Sequence, residues 1–246
     1  MNQTAESKGL LKNEDRIALY YSSEYERYRC ARVKAVIEKQ FQSNTTVLEI
    51  GPGPGIFTED LLKMGCRVIA AEPASDRARA LAERCGKNTA LEIIEEYFPI
   101  SSNKKPKDRS VQGVIALEVI EHVAHPDKFL EECARVITPG GKLLLSTPNR
   151  FSLEAIVHLL KYVLLGQVYY AGDPTHIWLF RPGKISSLIR QAGFKITYFE
   201  SMHFGCGDKG GGKIPGLPFY FSRLIFSRRW PLNRLGFNLI IVAERL

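Results

Sequence analysis

The chain has 246 residues, 45% apolar and 24% charged, enough apolar material for one core and too little charge for a disordered chain. Its formal net charge of +8 suits anionic partners or simple solubility. The five cysteines (Cys30, Cys66, Cys85, Cys133, Cys206) form no CxxC pair, so neither a disulfide framework nor a zinc knuckle is expected.

The first residues, MNQTAESKGLLKNEDR, are polar and do not read as a signal peptide. Residues 1–45 read as an N-terminal helical segment, with Val33, Val36 and Ile37 on one face of a helix over 16–41. From residue 46 a regular alternation begins. TVLEI (46–50) reads as a strand that ends in a glycine turn, followed by a helix over 56–64 and the strand RVIAAE (67–72). Ser75 is placed to cap the next helix, which runs toward Cys85. LEII (91–94) and VQGVIAL (111–117) read as strands. PDKFLEECARVI (126–137) reads as a helix that Pro139-Gly140-Gly141 ends before the strand KLLLST (142–147).

Near-continuous apolar strands alternating with helices predict βαβ units. The predicted fold is α/β: a doubly wound, Rossmann-like, mostly parallel seven-stranded sheet with an antiparallel final strand. The domain is expected over 46–246, with inserts at about 148–180 and 203–236. A helix over 182–192 and strands over 194–199 and 237–244 complete it. The apolar stretch 153–170 is interrupted by Glu154, His158 and Lys161, which argues against a membrane span.

VLEIGPGPG (47–55) is the most informative segment. Gly51, Gly53 and Gly55 let a ligand approach the backbone closely at the carboxyl edge of the sheet. The spacing is G-x-G-x-G rather than G-x-G-x-x-G, and no Gly-Lys-Ser/Thr follows, so a phosphate-cradling loop is not expected. Glu72, at the end of the second strand, can accept two ribose hydroxyls, a feature shared with dehydrogenases. Glu49 discriminates: a carboxylate beside the first glycine repels a pyrophosphate and suits an ammonium and a sulfonium.

These segments, with ALEVIEHVAHPDKFLEECARVITPGGKLLLSTPN and PTHIWLFRPGKISSLIRQAGFKI, resemble the class I S-adenosylmethionine-dependent methyltransferase superfamily over roughly residues 30–200. Within it they resemble the methyltransferases of ubiquinone biosynthesis. The resemblance implies that Glu49, Gly51 and Gly53 surround the methionine and ribose of the cofactor and that Glu72 holds the ribose hydroxyls. Leu117 and Glu118 border its methionyl end, and Arg32 meets its carboxylate. The adenine-side acid falls in IIEEYFPI, on Glu95 or Glu96.

Methyl transfer needs alignment, exclusion of water and, for a hydroxyl acceptor, a base. His122 and His176 are the expected bases; the alternative for each is a structural histidine. If Glu118, Glu121 and His122 begin a helical turn, they share a face and could hold a divalent metal ion, as some relatives do.

The expected function is O-methylation of a small lipophilic or aromatic metabolite. The alternatives are an RNA or protein methyltransferase, a non-catalytic cofactor-binding partner protein and a dehydrogenase. Nucleic acid is the less favoured partner, because no RNA-binding module accompanies the aromatic and basic stretch. That stretch, 214–230 with Arg223, Arg228 and Arg229, and the segment 151–170 are expected to form an apolar cover that admits the acceptor. The expected location is the cytoplasm, with peripheral membrane contact through the same two segments as an option.

Overall fold

The computed structural model describes residues 24–86, 88–152, 163–164, 175–202 and 232–246. The leader, most of 151–170, the glycine run 210–212 and the segment 214–230 with Arg223, Arg228 and Arg229 lie outside the described residues.

The chain runs α1 (Glu24–Gln40), β1 (Thr46–Ile50), α2 (Ile56–Lys63), β2 (Arg67–Ala71), α3 (Ser75–Cys85), β3 (Leu91–Ile94) and β4 (Val111–Leu117). A short 3-10 turn, Ile120–His122, leads to α4 (Pro126–Val136) and β5 (Ile137–Pro148). Beyond the first insert come α5 (Pro182–Gln191), β6 (Phe194–Met202), a second 3-10 turn (Leu232–Arg234) and β7 (Asn238–Arg245).

The seven strands form one sheet in the order β3-β2-β1-β4-β5-β7-β6. β1 to β5 pair in parallel, and β7 runs antiparallel to both β5 and β6. This is the doubly wound, mostly parallel sheet with an antiparallel final strand that the alternation implies. The order reverses at β1, so a crevice opens beyond the carboxyl ends of β1 and β4, where such sheets bind ligands.

Two apolar layers cover the sheet. On one face, Leu48, Val114, Leu143 and Ile241 pack with Phe129, Leu130 and Ile189 of α4 and α5. On the other, Val47, Ile115, Leu144 and Val242 pack with Val33, Ile37 and Phe41 from the α1 side and with Phe57 and Leu61 of α2. The alternation along β5 and β7 places Ser146 with Leu144, and Asn238 with Ile240 and Val242, on this second face.

Three local features differ from the expected pattern. Ser75 is the first residue of α3, and its N-cap, Ala74, makes no side-chain cap. The Ala74 N–H is taken instead by Glu72. Pro139-Gly140-Gly141 lies within β5 rather than before it: Val111 pairs with Ile137 and Gly113 with Lys142, so the three residues form an irregularity in the ladder. Gly140 takes a φ of 77° there. β6 runs three residues past the expected 199, because β7 continues to pair with it as far as Met202.

Gly113 explains how α1 is seated. A Cβ at this position would stand 2.2 Å from Cε1 of Phe41, so the ring lies where any side chain on β4 would project. Gly113→Val is expected to displace Phe41 and destabilise the fold by about 1–3 kcal/mol, the usual cost of overpacking. Urea unfolding measures this; a variant as stable as the parent would show that the ring relocates freely.

Candidate functional site

The glycine turn is built by left-handed backbone. Gly51, Gly53 and Gly55 have φ of 65°, 55° and 76°. A Cβ on Gly51 would meet Cγ2 of Val119 at 3.0 Å, and one on Gly55 would meet Cδ1 of Leu81 at 2.4 Å. The turn thus fits closely between the loop after β4 and helix α3, and only glycine meets both demands.

Two buried carboxylates flank it. Glu72 accepts the N–H of Gly53 (3.2 Å) on one oxygen and that of Ala74 (3.1 Å) on the other. Arg77 stands 3.9 Å away. A carboxylate offers about four acceptor positions, so the fork retains capacity for two hydroxyl donors. Glu49 is 3% exposed and accepts the Thr58 hydroxyl at 2.6 Å. Burial pushes its pKa up to about 7 against the opposing effect of that hydrogen bond.

A second polar cluster lies beyond β4 and β5. Glu118 adopts a φ of 55°, rare for a side chain of its size. Its N–H reaches the backbone and side-chain oxygens of Ser146, both at 3.1 Å. One carboxylate oxygen accepts the Ser146 hydroxyl (2.5 Å) and the Asn238 amide (3.0 Å). Glu118 therefore lies outside the turn Ile120–His122, and the helical face expected for Glu118, Glu121 and His122 does not form.

Glu121, 1% exposed, accepts the Thr147 hydroxyl at 3.1 Å on one oxygen, while the other is buried without a hydrogen-bond partner. Burial, and then the charge of Glu118, raise its pKa to about 8. Beside it the His122 and His176 rings meet edge to face, with centroids 4.9 Å apart. A ligand atom from each of Glu121, His122 and His176 falls within 4.8 Å of the other two. His176, named from sequence as a base, thus completes the set in place of Glu118.

The end of the first insert is fastened here. The Ile177 and Trp178 amides both donate to the Glu121 carbonyl (2.9 and 3.0 Å), and the Trp178 indole N–H donates to the Val123 carbonyl (2.9 Å). His122 Nδ1 lies 3.0 Å from the Thr175 carbonyl, which sets the proton on Nδ1 and leaves Nε2 as the basic nitrogen.

The remaining expected site residues stand as follows. Leu117 ends β4 and packs against the α1-side core. Arg32 grips Glu200 with two hydrogen bonds (3.2 and 2.7 Å) and reaches the Tyr198 hydroxyl, so its guanidinium is engaged by β6. Glu96 is half-buried and receives the amides of Ser101 and Ser102 and the Ser101 hydroxyl, closing its own loop. One residue was missed. Arg29, 8% exposed on α1, pairs with Glu26, and its charge opposes the rise in the Glu121 pKa. Its helical spacing from Val33 and Val36 already placed it on the inward face.

Glu49 gives a pH prediction. Its folded pKa of about 7 exceeds its ordinary value of 4.5, so the native state keeps a proton that the unfolded chain releases. That contribution is complete at low pH and is lost as pH rises from 4.5 to about 7. Glu49→Gln removes the charge. Relative to the parent, the ligand-free variant should gain stability across this window, by on the order of 3 kcal/mol above it. Denaturant midpoints at pH 5 and pH 8 measure the difference; parallel behaviour of the two proteins would show that Glu49 ionises without penalty.

Comparison with known proteins gives the family. Residues 22–198 match the methyltransferase domain family. The ubiquinone biosynthesis O-methyltransferase of Rhizobium etli is 26% identical over 201 residues, which cover 81% of this chain and 72% of that protein. That of Hydrogenovibrio crunogenus is 27% identical over 168 residues, 68% of this chain and 69% of its own length. The mouse mitochondrial protein of the same name is 26% identical over 159 residues, and only 42% of it is covered. Among solved structures, the S-adenosylmethionine-dependent methyltransferase of Methanosarcina mazei superposes with a TM-score of 0.59 at 17% identity, covering 86% of this chain and 97% of that one. That of Aquifex aeolicus gives 0.55 at 17% identity, covering 87% and 88%. With residues 22–198, more than half its length, matched by the family, the chain belongs to the methyltransferase domain family and is an S-adenosylmethionine-dependent methyltransferase.

Proposed function

We propose that the chain methylates an oxygen of a small lipophilic or aromatic acceptor. The observation that carries this reading is the buried, half-partnered Glu121 beside the His122–His176 pair at the carboxyl end of β4. S-adenosylmethionine, when bound, supplies the electrophilic methyl group. The residues of the glycine turn fit it: Gly51 and Gly53 admit the ligand against the backbone, Glu72 accepts ribose hydroxyls and Glu49 offers a buried charge to the ammonium and sulfonium. Glu118 orders the loop beyond Leu117 at the methionyl end. On α1, the charge of Arg29 acts on Glu121, while Arg32 is engaged by Glu200.

The acceptor hydroxyl lies against Glu121 and His122. Nε2 of His122 takes its proton, and the Thr175 carbonyl holds the imidazole in the needed tautomer. The relatives named for ubiquinone O-methylation support a lipophilic acceptor. So do the exposed Phe151, Ile177 and Leu179 at the two ends of the first insert. Among the described residues no helix is long and apolar enough to cross a membrane. Peripheral contact with anionic lipid through 151–170 and 214–230 remains part of the proposal, and liposome sedimentation at low salt tests it: loss of sedimentation in an Arg223, Arg228 and Arg229 triple glutamine variant supports it, and no sedimentation of the parent removes it.

A second reading has one observation in its favour. The unpartnered Glu121 oxygen and the two imidazoles fit a divalent ion, and one carboxylate with two nitrogens suits zinc-like ions better than magnesium. An ion held there would act as a Lewis acid on the acceptor hydroxyl.

Two measurements test these readings. Glu72→Ala should weaken S-adenosylhomocysteine binding by about 1.5–3 kcal/mol in calorimetry, the cost of losing hydrogen bonds to a charged group. Unchanged affinity would remove Glu72 from the site. Turnover on labelled S-adenosylmethionine and cell extract should place the label on an ether oxygen and fall in His122→Asn by roughly 100-fold, the lower end for a general base. If exhaustive chelation abolishes turnover and a divalent ion restores it, the metal reading replaces the base; label on nitrogen or carbon would overturn O-methylation.

A further inference from the structure

Asn238 opens β7, opposite Pro148 of β5 and Met202 of β6, and is 2% exposed. Its Nδ2 donates to Glu118 at 3.0 Å. That contact fixes the amide orientation, since the flipped form would set the carbonyl oxygen against a carboxylate. Oδ1 is therefore an acceptor, and it is buried with no hydrogen-bond partner. An unmet buried acceptor is costly, and native chains rarely keep one without a use.

Its place in the sheet says which ligand can reach it. In the order β1-β4-β5-β7, β7 lies three strands from β1, about 14 Å at the usual strand spacing. The glycine turn and Glu72 stand on the β1–β2 side. Asn238 stands on the other side of Glu118, on the sheet face shared with Ser146 and with the Arg32–Glu200 pair. A second unpartnered acceptor, the Glu121 oxygen, belongs to the loop that follows Glu118. Both open positions ask for donors.

We infer that Asn238 binds the methyl acceptor, its Oδ1 receiving an O–H or N–H group of that molecule while its Nδ2 holds the Glu118 carboxylate. The inference rests on the O-methyltransferase reading and adds to it a specificity residue on β7 and a hydrogen-bonding requirement on the substrate.

The test uses the full chain saturated with S-adenosylhomocysteine and two fragments of similar shape that each keep one hydroxyl for His122, hydroquinone and 4-methoxyphenol, with dissociation constants measured by ligand-detected NMR. The parent should prefer hydroquinone by about ten-fold, a hydrogen bond's worth of affinity. Asn238→Leu should erase the preference, and so should Asn238→Ala. Glu118→Gln, which removes the charge that Nδ2 meets and leaves Asn238 Oδ1 in place, should retain it. Thermal unfolding reports that each variant is folded. Equal binding of the two fragments by the parent would overturn the inference. So would a preference that survives in the leucine or alanine variant, the result expected where a trapped water satisfies Oδ1 in the parent. Loss of preference in Glu118→Gln would show that Asn238 acts only through Glu118 and would overturn it too. Should the leucine variant unfold, the alanine variant decides: lost preference supports the inference and retained preference overturns it. Failure of the parent to bind S-adenosylhomocysteine would instead strike the methyltransferase reading itself.

Discussion

A carboxylate taken out of water costs several kcal/mol unless a cation or hydrogen bonds offset the loss. Glu49, Glu72, Glu121 and Glu200 are all at most 3% exposed, and all four sit at or beyond the carboxyl ends of strands. Their compensation is unequal. Glu200 has Arg32 and the Tyr198 hydroxyl. Glu72 has two backbone amides. Glu49 has one hydroxyl, and Glu121 has one hydroxyl and an oxygen with nothing. The two least compensated acids flank the crevice where the sheet order reverses. Glu200, held best, serves the fold by tying α1 to the far edge strand. A site poised for a cationic ligand and for a hydroxyl or metal would carry this distribution, because the missing partners arrive with the ligands.

Much of the architecture was legible because each strand carries its own signal. TVLEI, VQGVIAL and KLLLST are apolar almost throughout, as strands covered on both faces must be, and the glycines after Ile50 needed no tertiary context to mark a ligand turn. Features set by contacts between distant residues were not legible. The partner of Arg32 lies 168 residues away, so its reading as a cofactor contact could not weigh Glu200 against the ligand. Glu118 looked like the start of a helical turn with Glu121 and His122. Its left-handed backbone follows from Ser146 and Asn238, which draw its amide and carboxylate toward β5 and β7. Both histidines were named, but only the fastening of residues 175–178 to the loop after β4 makes them neighbours.

The same fastening ties the loop after β4 to the rest of the chain. The Glu121 carbonyl receives two amides from the end of the first insert, while its side chain faces Thr147 on β5. Asn149, two residues further along, donates its amide to the carbonyls of Arg234 and Gly236 (2.8 and 2.7 Å), just ahead of β7. The ends of both inserts therefore converge on the segment between β4 and β7 that carries Glu121, His122 and Asn238. Inserts joined at that place can differ in length and composition without disturbing the glycine turn on the β1–β2 side. The glycine turn is thus made by the alternating α/β core, and the cluster of Glu121, His122 and Asn238 by the junctions of the inserts. That division is compatible with a fold shared with other methyltransferases at an identity to the named relatives of only 26–27%.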